Sequence, residues 1–338
     1  MDETPNAGQP QAPVVAEGGR TLKRVGVVLL FAFFLVSLAA GIALVRIGGE
    51  PGRLEKAVPL LGKSKRQAIG WINIRGAIYD SGENRAWGST DIEQWSKRLR
   101  DFGEDSQVKA IVIEINSPGG SVGAVQELYA QILKVRADSK KPVIALMGDI
   151  AASGGYYLAA ACDKIIAHPG TLTGSIGVIF HMTNYEGLMK KVGITAEPIK
   201  SGKMKDIGSP TRPMTAEERK LLQALIDEAY GQFLSAVAEG RKMPEEKVRP
   251  FADGRIFTGT QALEAGLVDS VGTSIDAIAL AKKLGRIIGE PKILHRQDDV
   301  LDRLSNFLEE ATMPAEARVR GFLLTLAPGP GLEYRWSP

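Results

Sequence analysis

Histidine and cysteine are scarce in this chain: three His and one Cys among 338 residues. A serine nucleophile would therefore need a base other than imidazole, since His168, His181 and His295 are scattered along the sequence. The lone Cys162 excludes an intrachain disulfide and any cysteine-based metal site. Set at the end of Leu158-Ala-Ala-Ala-Cys162, it reads as a small core residue. Blocks of one charge are also missing. The 42 Lys and Arg are interspersed with 39 Asp and Glu, and the net charge of +3 asks for no nucleic acid partner. Neither a metal-ligand cluster nor a nucleotide-binding loop occurs, so no cofactor is expected. No repeat of solenoid period is present.

Long uncharged stretches are absent with one exception, residues 25–45 (VGVVLLFAFFLVSLAAGIALV). At ~1.5 Å per residue this run is long enough to cross a hydrocarbon core of ~30 Å, and it is expected to be a membrane anchor. Arg20, Lys23 and Arg24 precede it, and only Arg46 and Arg53 follow shortly after. The positive-inside bias then places the N-terminus in the cytoplasm and the rest of the chain outside it, on a single-pass cell-membrane protein. Ser37 and Ala39 offer small residues at a signal-cleavage spacing, but the apolar run continues past them, which favours an uncleaved anchor. The expected organisation is a disordered cytoplasmic tail over 1–24, the anchor over 25–45, a stalk or docking segment over 46–67, a folded domain over 68–285 and a C-terminal extension over 286–338.

Within 68–285, strand-like and helix-like runs alternate: 69–74, 91–102, 110–115, 122–135, 143–147 and 163–167. This βα order predicts an α/β fold with a parallel sheet flanked by helices. Ile111-Val-Ile-Glu-Ile115 and Pro142-Val-Ile-Ala-Leu146 are nearly continuous apolar, as strands covered on both faces require. Thr215 followed by Glu217 and Glu218 marks the start of a long amphipathic helix reaching Lys242. Residues 253–269 read as a turn, a short strand, a capped helix and a strand.

Three glycine-bearing turns follow apolar strands, where a doubly wound sheet builds its sites. In Asn116-Ser-Pro-Gly-Gly120, the N–H groups of Gly119 and Gly120 are candidates for an oxyanion hole; an ordinary strand-to-helix turn has the same composition. In Gly148-Asp-Ile-Ala-Ala-Ser153-Gly-Gly-Tyr-Tyr157, Ser153 is the candidate nucleophile, with small neighbours that leave room for a substrate backbone. A plain helix N-cap is the competing role. In Thr171-Leu-Thr-Gly-Ser175-Ile-Gly177, Ser175 could orient a base. Lysine is the obvious base, and Lys200, Lys203 and Lys205 share one loop. An ordinary lysine, near pKa ~10.4, is neutral in well under ~1% of molecules at pH 7, and raising its acidity about a thousandfold takes roughly 4 kcal/mol, which a dry pocket can supply. Spacing does not choose among the three. A Ser153/His168/Asp163 triad is disfavoured because Asp163 and His168 belong to one short strand.

Five ordered stretches then carry a resemblance: 116–120, 147–157, 172–178, 199–206 and 253–259. Together they resemble the signal peptide peptidase A type serine peptidases, peptidase family S49, which are membrane-anchored relatives of the ClpP and crotonase fold. The resemblance covers roughly residues 68–285. It implies Ser153 as nucleophile, Lys205 as general base, Ser175 as the residue that orients the lysine, and Gly120 as an oxyanion donor. It also implies a membrane-anchored endopeptidase acting on cleaved signal peptides, and a homo-oligomeric ring in which serine and lysine can meet across a subunit boundary. Three alternatives share parts of this pattern: a sister protease acting on stomatin-like or other membrane proteins, a non-catalytic membrane scaffold, and an acyl-CoA enzyme. Residues 286–338 lie outside the resemblance. Their ending, Tyr334-Arg-Trp-Ser-Pro338, is expected to pack on a neighbour, lie on a membrane or remain solvated.

Overall fold

The computed structural model describes residues 66–80, 92–295 and 332–336. The expected tail, the membrane anchor and the stalk up to residue 65 lie outside these residues. Among the described residues, no helix is long and apolar enough to cross a membrane.

The strands are β1 (Ala68–Arg75), β2 (Val108–Ser117), β3 (Gly119–Ser121), β4 (Val143–Ala152), β5 (Lys164–Ala167), β6 (Leu172–Gly174), β7 (Ile179–Phe180), β8 (Ile256–Thr258), β9 (Ser270–Val271), β10 (Lys292–His295) and β11 (Leu332–Arg335). The main sheet runs in the order β10-β1-β2-β4-β5-β9, with every neighbouring pair parallel. The far end of β4 also pairs in parallel with β6, which pairs antiparallel with β8. The fold is thus α/β with a mostly parallel sheet and flanking helices.

The alternation of side chains along each strand explains why β1, β2 and β4 are apolar over most of their length. Ile72, Ile74, Ile111, Ile113, Ile115, Val143, Ala145 and Met147 enter a large core on one face. Ile69, Trp71, Ala110, Val112, Ile144 and Leu146 enter a smaller core on the other. Helices Ile92–Glu104 and Val122–Ser139 cover the first face through Trp95, Leu99, Phe102, Val125, Leu128 and Ile132. Helix Ser274–Leu284 covers the second through Ala277 and Ala281. The apolar residues of these strands therefore face a dry layer whichever way they point.

Helix Ala216–Arg241 begins with a full capping box: Thr215 accepts from the Glu218 N–H, and the Glu218 carboxylate accepts from the Thr215 N–H. A second capping box, Thr258 with Gln261, starts helix Gly259–Glu264, and the strand that follows lies at Ser270–Val271, just past the expected segment.

β10, which falls in the expected extension, adds a strand to the edge of the main sheet beside β1, so residues 292–295 join the same sheet. The expectation for Tyr334 also changes, because β11 is the centre of a second sheet in the order β3-β11-β7 and the Tyr334 side chain is fully buried in the main core of its own chain. A ring large enough to fill a gap between helices Val122–Ser139, Gly154–Ala160 and Ala216–Arg241 removes more apolar surface from water here than a solvated tail would.

Candidate active site

The end of β4 is where the sheet stops being regular. Pairing between β2 and β4 shifts register after Ile115, and β4 then continues alongside β6. Asn116 bridges the gap, its Oδ1 accepting from the Ile150 N–H at 3.2 Å. Thr171 and Thr173 tie β6 to β4 by donating to the Gly148 carbonyl at 2.7 Å and the Ala151 carbonyl at 2.6 Å. The hydroxyl-rich turn Thr171–Ser175 is in this respect a structural clasp.

Ser153 sits at the junction of β4 and helix Gly154–Ala160 with φ 52° and ψ −116°. A side chain in the positive-φ region is held there only by its surroundings. Here the Ser153 N–H donates to the Gly174 carbonyl at 2.8 Å and the Ser153 carbonyl accepts from Tyr157 at 2.9 Å, which fixes both ends of the turn. The hydroxyl caps nothing. Its role is therefore not that of an N-cap, and it is left facing a cavity.

Ser175 has the same backbone character, with φ 50°, and its N–H donates to the Arg255 carbonyl at 2.8 Å. Ser153 and Ser175 line one cavity of about 570 Å³, together with Ile179, Tyr230, Asp253 and Trp336. Asp253 is clamped by Arg255, whose Nε and second guanidinium nitrogen reach its two oxygens at 2.7 and 2.6 Å. That pairing holds the carboxyl at about 2, so the cavity rim carries a fixed anion at any working pH.

The two glycine candidates separate. The Gly119 N–H donates to Ser117 Oγ at 3.1 Å and its carbonyl accepts from Ile78, so its donor is already spent. Gly120 lies in β3 opposite Tyr334 of β11. Gly119 needs to be glycine on two counts: its φ is +99°, and a Cβ there would stand 1.8 Å from the Tyr334 carbonyl oxygen.

Among the described residues, the lysine loop makes no side-chain hydrogen bond to Ser153 or Ser175. Lys205 is exposed and is not among the residues lining the cavity. The three lysines nevertheless differ. Lys200 pairs with Asp206 at 2.6 Å and Lys203 with Glu217 at 2.7 Å, whereas among the described residues Lys205 makes neither an ion pair nor a side-chain hydrogen bond. Of the three, Lys205 is thus the amine that no carboxylate among the described residues engages. The loop itself is anchored by Arg212, which donates to both Asp206 oxygens and to Glu218. Those bonds pull Asp206 far below the usual carboxylate range and Glu218 down to about 2.

Of the remaining ionisable groups, Asp163 accepts from the Val143 N–H at 2.8 Å and pairs with Arg136, while His168 stands at the opposite end of β5. No triad with Ser153 forms from them. Cys162 is buried, and its thiol is pushed well up by burial.

Tyr334, Arg335 and Trp336 are not among the site residues expected from sequence, yet Arg335 and Trp336 line the cavity. Their signal is the alternation Leu332-Glu-Tyr-Arg-Trp336, apolar at every second position, which is the pattern of a strand. The sequence marks Glu218 only as a helix-start residue and does not single out Arg212.

The family model for Peptidase family S49 matches residues 135–287, which include Ser153, Ser175 and Lys205; that for Clp protease matches residues 87–175, which include Gly119 and Gly120. The chain is 48% identical over 214 residues to the Synechocystis sp. protein named "Putative protease slr0021", a match covering 63% of this chain and 73% of that protein. It is 38% identical over 229 residues to the Enterococcus faecium protein named "Putative signal peptide peptidase SppA", covering 67% and 66%. To "Protease 4" of Salmonella typhi it is 36% identical over 219 residues, covering 65% of this chain and 35% of that protein.

Proposed function

We propose, from the premise that the chain belongs to peptidase family S49 and is a serine protease, that it is a membrane-anchored endopeptidase in which Ser153 is the nucleophile and Lys205 the base. Cleaved signal peptides and other membrane-associated peptides are the proposed substrates. The observation that carries the reading is Ser153 itself. It is a buried serine at positive φ whose hydroxyl caps no helix and opens onto a cavity shared with a second serine at positive φ.

In this reading the Ser153 Oγ loses its proton to the neutral Lys205 amine and attacks the substrate carbonyl carbon. The Gly120 N–H steadies the oxyanion, the lysine returns the proton to the departing amine, and water releases the acyl-enzyme. Ser175, facing the same cavity, would hold the amine in line. Gly120, Ser153 and Ser175 belong to a framework braced by backbone bonds, so little reorganisation is needed as charge develops.

Lys205 has to arrive from elsewhere. Helix Glu186–Lys191 has no buried residue, and Leu188, Val192, Ile194 and Ile199 are each more than half exposed. An arm bearing four large apolar side chains in solvent, and leading directly into the lysine loop, favours contact with a second copy of the chain. We take the complete site to form between subunits of a homo-oligomeric ring of a ClpP/crotonase-like fold. The Clp protease match supports that fold. The uncharged run 25–45 and the basic residues before it support an anchor with the catalytic domain outside the cytoplasm.

Ser153→Ala is expected to cut peptide turnover by on the order of 10⁴-fold or more while leaving the oligomer intact. A fluorophosphonate should label Ser153 in the wild-type assembly and nothing in the variant. Unchanged turnover in Ser153→Ala would refute the nucleophile, and an unlabelled Ser153 in a fully assembled oligomer would favour a scaffold.

A further inference from the structure

The end of the sheet away from Ser153 gathers positive charge. Ser153 follows the last residue of β4, and at about 3.3 Å per residue this strand of 10 residues puts its own start roughly 30 Å away. Helices Ile92–Glu104, Val122–Ser139 and Ser274–Leu284 finish at that far end, around a cavity of about 470 Å³. Lys109, Lys140, Lys141 and Arg286 line it together with Ser106 and Ser139, and none of the residues lining it is acidic.

A cation at a helix C-terminus has an ordinary task, and one of the four performs it. The Lys141 amine donates to the Phe102, Gly103 and Asp105 carbonyls, each at 2.7 Å, and so closes helix Ile92–Glu104. The other two helices close with backbone bonds: the Lys140 N–H donates to the Arg136 carbonyl at 3.2 Å and the Gly285 N–H to the Ala281 carbonyl at 2.8 Å. Lys109, Lys140 and Arg286 make neither an ion pair nor a side-chain hydrogen bond among the described residues. In the adjoining cavity, which shares Lys140 and Lys141, the further cations are matched, Arg136 by Asp163 and Lys164 by Asp269. Three helix ends at about half a negative charge each, with the Asp105 carboxylate beside them, still leave the four cations in excess by roughly one to two charges.

Two further observations decide which anion suits this end. Ile288, two residues past Arg286, is 89% exposed, and Leu284 is exposed at the cavity wall. Aliphatic side chains standing in water beside unmatched cations fit a surface that is anionic outside and hydrocarbon beneath, which a free phosphate is not. The chain also enters the domain here. The Gln67 side chain accepts from the Ile288 N–H at 2.8 Å, and the Gln67 carbonyl accepts from the Lys292 N–H at 3.1 Å. Residues 46–65 join this point to the uncharged run 25–45, and a tether of that kind keeps its two ends at high effective concentration.

We infer that this end of the domain is a docking face for the phosphate headgroups of an anionic lipid surface, with Lys109, Lys140 and Arg286 as its contacts and Ile288 entering the headgroup layer. This rests on the anchor proposed for residues 25–45 and adds what an anchor alone does not give, an orientation: the cavity of Ser153 is turned away from the bilayer.

Hydrogen exchange on the full chain tests the inference, in vesicles of phosphatidylcholine alone and of equal parts phosphatidylcholine and phosphatidylglycerol. Exchange over residues 284–288 should slow at least about fivefold in the anionic vesicles, the preference that a single cation near such a surface supplies. The difference should vanish in a Lys109→Gln, Lys140→Gln, Arg286→Gln chain whose melting temperature matches wild type. Equal exchange of the wild-type chain in the two kinds of vesicle would overturn the inference. Protection reproduced by inorganic phosphate without vesicles would make this a small-anion site and defeat the lipid assignment, and protection that follows protein concentration in neutral vesicles would give the face to a second copy. A chain that does not float with phosphatidylcholine vesicles counts against the anchor instead, and anionic vesicles that still protect residues 284–288 would then uphold the docking face.

Discussion

Ser153, Ser175 and Gly119 all occupy positive φ, and they do so within a few residues of the same cavity. Residues of the first two kinds each cost of order 1–3 kcal/mol relative to relaxed backbone, so their presence reports that surrounding bonds outweigh that cost. For Ser153 those bonds run to Gly174 and Tyr157; for Ser175, to Arg255. Glycine at 119 carries no such penalty, but it is irreplaceable for space. Gly119→Ala is expected to lower stability by about 2–4 kcal/mol, because the new methyl both strains the turn and strikes the Tyr334 carbonyl. A thermal unfolding curve checks this, and a melting temperature equal to wild type would show that β11 is not packed on Gly119 in solution.

The loop from Lys200 to Thr215 is an element without regular structure, and Arg212 organises it by joining Asp206 to Glu218 at the start of helix Ala216–Arg241. The sign of its pH dependence follows from these pairs. Both carboxyls have folded values depressed below their unfolded ones, so their contribution is fully present above about pH 4.5 and is lost as pH falls through the folded values, near 2 for Glu218 and lower for Asp206. Amide exchange across Asp206–Glu218 should accordingly rise between about pH 4.5 and 2, with no change from pH 5 to 8. Arg212→Ala should produce the same loosening at neutral pH and reduce turnover by misplacing Lys205, while Ser153 labelling in the assembled protein is only weakly affected. Full turnover in Arg212→Ala would mean that the loop's position does not matter to the chemistry.

At the scale of the whole molecule, Ser153 and Ser175 share one cavity, while an exposed apolar arm leads into the loop that bears Lys205, which the proposed function takes to complete the site in a neighbouring subunit. Ile194→Asp places a charge in the middle of that arm, and in a ring it is expected to shift the protein toward monomer and to abolish turnover. Light scattering coupled to size exclusion reads the first effect, and peptide hydrolysis the second. A monomeric variant with full turnover would place serine and lysine within one subunit.

How much of this was legible beforehand depends on the range of the interaction. The continuous apolar runs of β1, β2 and β4, the capping residues Thr215 and Glu218, and the small residues around Ser153 act over a few neighbours, so the sequence alone determined a layered α/β domain with a serine at a strand-to-helix turn. The pairing of Lys200 with Asp206 and of Lys203 with Glu217, the diversion of the Gly119 N–H to Ser117, and the insertion of Tyr334 between Tyr157 and Phe233 were decided only by the tertiary structure. Each depends on a partner that the chain path alone brings near. Burial of an aromatic ring and the pairing of a carboxylate are energies of proximity, and residue 334 acquires its meaning only when the fold returns it to residue 120.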